Sequence, residues 1–268
     1  MSKYKKLIVV GDSWTHGSEI RDPALPESIK DWDSANDHYR IPRIWPTKLG
    51  NILGVDEVIN LSYPAASNDR SVRNLVGWLT EHYLKPKKST EDIFVIIGLT
   101  SPERKDFYYK GSKSKWWFTM WPMWEHLYPE PEINNLSKIY IKNFYNSEEY
   151  IHRYINQVFY LQNIFLQYKI EHLFFQAFYQ YDQMHITNWV DNAYARNYSG
   201  QPDQYIWDIV DPIRFMNKDI EPHSFHNYIL EKSKIEGVSP LVNMHPNEIG
   251  HTWWAEYIHT YCKENKLW

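Results

Sequence analysis

Two segments near opposite ends of this chain carry residue types capable of nucleophilic chemistry. Near the start stands Gly11-Asp12-Ser13-Trp14-Thr15-His16-Gly17, directly after an apolar run. A serine hydroxyl is a weak nucleophile alone and needs a base to take its proton. Near the end stands Asn243-Met244-His245-Pro246-Asn247, and a neutral imidazole is the side chain best suited to act as that base near neutral pH. A helix is expected to begin after Pro246, which would hold His245 at its mouth, facing back across the end of a sheet. Each residue also has a plainer reading: Ser13 as the cap of the following turn, His245 as a hydrogen-bonded residue at a helix start. Asp12 fits a role in stabilising the turn around Ser13. Glu248 and His251 form an alternative pair at E-x-x-H spacing, and their position within the last helix is read as surface.

The elements that must position these residues are legible as alternating patterns. Leu7 to Val10, Glu57 to Leu61, Ile93 to Ile97 and His172 to Phe178 are short apolar runs without polar alternation, as expected of parallel strands covered on both faces. Helical spacing predicts a helix over Ser71 to Leu84, another from Ser147 as N-cap through Phe165, and a last one carrying Ile249, Trp253, Trp254, Tyr257, Ile258 and Tyr261. Strands alternating with helices imply a three-layer α/β/α, flavodoxin-like domain. Its central parallel sheet would have about five strands, with helices on both faces. A single domain over residues 1–268 is expected, with aromatic-rich insertions near 108–145 and 183–240 at one end of the sheet.

Composition narrows the function classes. The formal net charge is −4 with 43% hydrophobic and 23% charged residues, so neither a nucleic-acid surface nor a membrane partner is implied. The one cysteine, Cys262, excludes an internal disulfide. The N-terminal MSKYKKLIVVGDSW reads as a first strand rather than a signal peptide, and no apolar run is long enough to span a bilayer. The expected location is therefore cytoplasmic or virion-associated. No Cys pair, H-E-x-x-H or carboxylate-rich loop points to a metal, and no glycine-rich phosphate motif points to a nucleotide. The expectation is no cofactor and no metal. Aromatic residues make up 17% of the chain. The cluster Trp116, Trp117, Trp121 and Trp124 can stack on sugars or pack an insertion, and packing is the preferred reading.

Four blocks in order resemble the SGNH (GDSL-type) serine hydrolases: GDSWTHG at 11–17, Asn60-Leu61-Ser62-Tyr63-Pro64-Ala65-Ala66-Ser67-Asn68, Ile97-Gly98-Leu99-Thr100-Ser101, and HPNEIGH at 245–251. The stretch Thr100-Ser101-Pro102-Glu103-Arg104 is also similar to hydrolase-like proteins of phages. The resemblance implies that Ser13 attacks an ester carbonyl, that His245 takes and returns the proton, and that the N–H groups of Ser13 and Ala65 face the oxyanion. It also exposes departures. Ala65 stands where the family usually has glycine, and Thr100 stands where it has an oxyanion-binding Asn. Asn68 is the alternative donor. Val242 occupies the usual position of the orienting Asp, leaving Asn243 as the nearest polar residue able to orient the ring. Trp14, Arg70 and Arg104 are expected at the substrate rim, with salt bridges an equal reading for both arginines.

The expected function is an ester hydrolase acting through an acyl-serine, on a small ester or an O-acylated glycan, most like a carbohydrate O-acetylesterase. The competing expectation, supported by the substitutions at 65, 100 and 242, is a weakly active or inactive binding or structural protein with this fold. It would work as a homo-oligomer or within a viral assembly.

Overall fold

The computed structural model describes residues 3–110, 115–122, 128, 130–178, 206–218, 220–222 and 224–268. In chain order, β1 (Lys6–Val10) runs into a one-turn helix α1 (Ser13–His16). A loop containing α2 (Asp37–Arg40) leads to α3 (Trp45–Leu53), β2 (Glu57–Asn60) and α4 (Asn68–Leu79), which continues into a π-type turn over Thr80–Leu84. Next come β3 (Ile93–Leu99), β4 (Lys105–Lys110), β5 (Lys115–Met120), α5 (Pro131–Asn143), α6 (Ser147–Gln167) and β6 (Glu171–Gln176). The chain ends with α7 (Phe225–Glu236), a small hairpin of β7 (Leu241–Val242) and β8 (His245–Pro246), and α8 (Glu248–Glu264).

Four parallel strands form the central sheet in the order β2-β1-β3-β6. Side chains alternate across it and build two cores. Ile8, Val10, Val95, Ile97 and Phe174 pack with Leu75 and Leu79 of α4 and Tyr154, Ile155, Val158 and Leu161 of α6. Leu7, Val9, Phe94, Ile96, Leu173 and Phe175 pack on the other face with Trp45 and Leu49 of α3, Phe225 of α7, and Trp254 and Ile258 of α8. That is the three-layer α/β/α arrangement expected. Each fully buried Leu, Ile, Val or Phe contributes about 1.5–3 kcal/mol, so β3, buried along all seven residues, is the anchor of both layers.

In four places the structure adds to or departs from the expected scheme. Among the described residues the sheet has four paired strands, and beside β6 a single bridge joins Phe174 and Phe215, with Phe174 N–H donating to Arg214 O and Met216 N–H to Phe174 O, both at 2.8 Å. Helix α4 starts before Ser71 because Ser67 is its N-cap, its Oγ accepting the Arg70 N–H. The described residues of 108–145 include the end of β4, all of β5 and α5, and these pack on each other through a third core of Phe118, Met120, Ile133 and Tyr140. Within 183–240, read as an insertion, the described residues Trp207, Val210, Phe215, Met216, Phe225 and Ile229 are buried in the two main cores. That segment is sequence-polar but supplies core through sparse large side chains. Residues 183–205 lie outside the described residues.

Candidate active site

Strand β1 lies between β2 and β3, with the connection through α3 on one face of the sheet and the connection through α4 on the other. Open α/β sheets bind ligands at such switch points. Ser13 follows β1 there, and Thr100 follows β3. The turn is close-packed: a Cβ on Gly11 would stand 2.4 Å from Thr15 Oγ1, so only glycine fits. Asp12 caps α1 by accepting the Trp14 N–H at 3.0 Å, and Gly17, at φ 87°, closes the turn by donating to Ser13 O at 2.9 Å.

Ser13 and His245, 232 positions apart, meet at 3.1 Å between Oγ and Nε2. Nδ1 of His245 lies 3.2 Å from the main-chain oxygen of Asn243. A carbonyl only accepts, so Nδ1 carries a proton, and in the neutral ring Nε2 is then the lone-pair nitrogen facing the serine hydroxyl. The hairpin delivers this geometry. Val242 pairs with His245 across a two-residue turn, and both turn residues are left-handed, Asn243 at φ 44° and Met244 at φ 65°. That is the signature of a type I′ turn, which Asn tolerates and Met does so only at a cost of roughly 1–2 kcal/mol. Pro246 is part of β8. The following helix is instead capped by Asn247, whose side chain accepts the N–H groups of Ile249 and Gly250.

The expectation that Asn243 orients the ring through its amide is corrected: the ring is held by its backbone oxygen. The Asn243 amide donates to Glu19 Oε2 at 3.2 Å. Glu19 is itself left-handed at φ 69°, with its N–H held by Asp31 at 2.7 Å. Val242 is exposed at the hairpin edge and makes no such contact as a valine. Nothing near Glu19 in sequence marks it, and the backbone role of Asn243 has one signal, an Asn-led two-residue turn before the histidine.

Ala65 has φ 61°, a conformation that favours glycine. Among the described residues, neither its N–H nor that of Ser13 donates to a backbone oxygen. Thr100 is not available as a side-chain donor. Its hydroxyl donates to Asp12 Oδ2 at 2.7 Å, and its backbone is clasped by Asn68, which accepts the Thr100 N–H at 2.9 Å and donates to the Thr100 oxygen at 3.1 Å. Asn68 thereby locks the turn after β3.

Arg104 and Trp14 are not at an open rim. Arg104 is buried, pairing with Asp12 Oδ2 at 3.1 Å and donating to Ala66 O at 3.2 Å, with its guanidinium 4.3 Å from the Trp121 ring. The salt-bridge reading holds for this arginine. Trp14 is buried in the core against Phe178 and Phe225. Arg70 remains partly exposed, donating to Trp117 O at 3.1 Å and lying 4.9 Å from the Tyr63 ring. Among the tryptophans, Trp116 packs inward, Trp117 is exposed, and Trp124 lies outside the described residues. His251 is buried, contrary to the surface reading. It accepts the Trp45 N–H through Nδ1, and burial, with Lys48 and His245 adding to it, pushes its pKa down to about 3. Glu248 instead meets Arg43 and Lys48 at the surface. Among the described residues no group of three or more His, Cys, Asp or Glu could hold a metal ion, and no helix is long and apolar enough to cross a membrane.

The chain is similar in structure to the psychrotrophic esterase EstA from Pseudoalteromonas sp. (12% identity, TM-score 0.45), covering 97% of each chain. It is similar to a lipolytic protein of the G-D-S-L family, described as putative, from Desulfitobacterium hafniense (13%, TM-score 0.39, 96% of this chain and 99% of that one). It is also similar to a carbohydrate esterase family 2 enzyme with a carbohydrate binding domain from Corynascus thermopiles (13%, TM-score 0.49, 100% of this chain and 68% of that one). No curated protein matches the sequence. A family match covers residues 24–206, or 183 of 268 residues, a span lying between Ser13 and His245 and including neither. By that match the chain belongs to the family of unknown function DUF6071.

Proposed function

We propose that this protein is a serine ester hydrolase of SGNH type, working through Ser13 and His245 without a carboxylate behind the histidine. O-acetylated carbohydrate is its favoured substrate class. The observation that carries the reading is the 3.1 Å contact between Ser13 Oγ and a His245 Nε2 whose tautomer is set by the Asn243 oxygen. In this reading Oγ attacks the acyl carbon as its proton passes to Nε2, forming the tetrahedral oxyanion. Collapse expels the alcohol, which takes that proton, and leaves an acyl-serine; water, activated by the same nitrogen, releases the acid. The N–H groups of Ser13 and Ala65 are the oxyanion donors.

Turnover should be modest for two reasons. With the Thr100 hydroxyl committed to Asp12, a third oxyanion donor of the kind worth about 3–4 kcal/mol is lost. A neutral carbonyl orients the imidazole but stabilises its charged form less than a carboxylate would.

A fluorophosphonate probe reports on an activated serine directly. The unsubstituted chain should be labelled and should hydrolyse p-nitrophenyl acetate. Ser13→Ala should lose both while keeping its melting temperature within a few degrees. An unlabelled chain, or a Ser13→Ala variant as active as the parent, would overturn the reading in favour of a binding protein with this fold.

A further inference from the structure

We propose that the outer face of the β4–β5 hairpin, together with Tyr63 and Arg70, binds an acidic polysaccharide, a glycan bearing uronic-acid carboxylates. The proposal rests on the ester-hydrolase reading and extends it from the scissile ester to the polymer around it.

The hairpin register separates its two faces. Phe107, Tyr109, Trp116, Phe118 and Met120 point inward and pack against α5. Asp106, Tyr108 and Lys110 share the opposite face with Trp117 and Thr119. With one face already packed, the outer positions are where polar side chains belong. Asp106 conforms. It is buried at the base, accepting from Ser67 Oγ at 2.6 Å, Arg73 Nη2 at 2.7 Å and Thr119 Oγ1 at 2.8 Å. Tyr108 and Trp117 do not conform, at 52% and 44% exposed with ring centroids 5.3 Å apart.

These rings are held rather than loose. The Arg73 guanidinium lies 4.2 Å from the Trp117 ring centroid, and Arg70 joins the Trp117 backbone to Tyr63, itself 56% exposed. The result is a row of Tyr63, Arg70, Trp117 and Tyr108. It begins at Tyr63, two residues before Ala65; the Tyr63 N–H donates to Gly11 O at 3.2 Å, just ahead of Ser13. The row continues onto the hairpin at the cross-strand pair of Trp117 and Tyr108. Exposed, rigid aromatic faces stack on the C–H faces of pyranose rings at little entropic cost.

Charge selects the class of glycan. Arg70 and Arg73 share one buried carboxylate, Asp106, and Lys110 is exposed on the same face, so this patch is positive on a chain of net charge −4. Asp69 also reaches this patch, its Oδ2 accepting the Asp106 N–H at 3.0 Å while its Oδ1 accepts from Gln157 and lies 3.7 Å from Arg153. That leaves the three cations Arg70, Arg73 and Lys110 against the two carboxylates of Asp106 and Asp69. A guanidinium has five N–H donors in a planar fork suited to carboxylates. The described side-chain contacts use one N–H each of Arg70 and Arg73 in hydrogen bonds.

The test measures binding by calorimetry on the full chain carrying Ser13→Ala, with polygalacturonate as the acidic polymer and galactan as the neutral one. Polygalacturonate should bind at least tenfold more tightly than galactan, and added salt should weaken it. Trp117→Ala and, as a smaller truncation at the hairpin edge, Tyr108→Ala should each weaken it at least tenfold, as should Arg73→Gln, with melting temperature checking that the fold survives. Equal binding of the two polymers, no binding, or unchanged affinity in all three variants would overturn the proposal. Fluorophosphonate labelling of the unsubstituted chain separates the two readings. Labelling without polymer binding removes the surface alone; polymer binding by an unlabelled chain removes the hydrolase and leaves the surface.

Discussion

At the scale of single residues, the site is governed by backbone atoms in strained conformations. Glu19, Ala65, Asn243 and Met244 all have positive φ, and all four belong to the loops and hairpin that frame Ser13 and His245. Left-handed non-glycine residues persist where surrounding contacts over-determine them. Here those contacts run from Asp31 to Glu19, from Glu19 to the Asn243 amide, and from the Asn243 oxygen to His245. Two substitutions therefore act oppositely. Asn243→Asp sets a carboxylate against Glu19 and should lower ester turnover about tenfold, ~1.4 kcal/mol of barrier. Val242→Asp adds a carboxylate directly across the hairpin from His245, on the same face, where it can stabilise the imidazolium formed during attack. Turnover should rise by a comparable factor. Steady-state kinetics of both variants on one chromogenic ester check this, and a gain from Asn243→Asp would refute the backbone-orienter account.

At the scale of elements, the turn after β1 and the turn after β3 are joined by one buried ion pair. Asp12 and Arg104 are almost wholly inaccessible, and Thr100 adds its hydroxyl to the same carboxylate. Breaking a buried pair by removing one partner costs about 3–5 kcal/mol, because the other charge stays buried and uncompensated. Arg104→Met should destabilise the chain by about that amount in urea unfolding. The double variant with Asp12→Asn should recover part of the loss; a double variant less stable than Arg104→Met alone would show that the lost charge compensation is not the cause. The sequence marked both turns through their glycines and hydroxyls, but not that Arg104 closes the space between them rather than facing a ligand. That choice depends on Ala66 O and the Trp121 ring meeting the same guanidinium.

At the scale of the whole molecule, the buried His172 and His251 and the half-buried His16 make the fold sensitive to acid. Burial is the largest cause in each: it pushes His16 down to about 4, helped by Arg40; His172 down to about 4, with Arg214 adding and the bond to Ile170 O opposing; and His251 down to about 3. Between these values and the ordinary histidine value near 6.5, the unfolded chain binds protons that the folded chain does not. Stability therefore rises with pH across that window, and is lost as pH falls from about 6.5 toward 4. Melting temperatures from pH 7 to pH 4 should decline steadily. His172→Phe, packing between Phe165 and Phe174, should flatten the slope, because it removes one of the three groups. An unchanged slope would assign the acid sensitivity elsewhere.

The sequence by itself determined the sheet, the chain-end location of the serine and histidine, and the strand ends where both gather, because buried parallel strands and glycine-tight turns need particular residue types at fixed spacing. It located β1, β3 and the last helix nearly to the residue, since apolar runs and helical periodicity are local. Only the tertiary structure decided how the site is wired. The oxygen that orients His245 is present in every residue and has no sequence signature, and Glu19 reaches Asn243 across 224 positions. Trp14, Arg104 and His251 read as site or surface residues because polarity and aromaticity are visible in a sequence while the neighbours that bury them are not. The polar stretch after residue 205 joined the core for the same reason: Trp207, Phe215 and Phe225 are too far apart to form a period, and only folding brings them to one sheet.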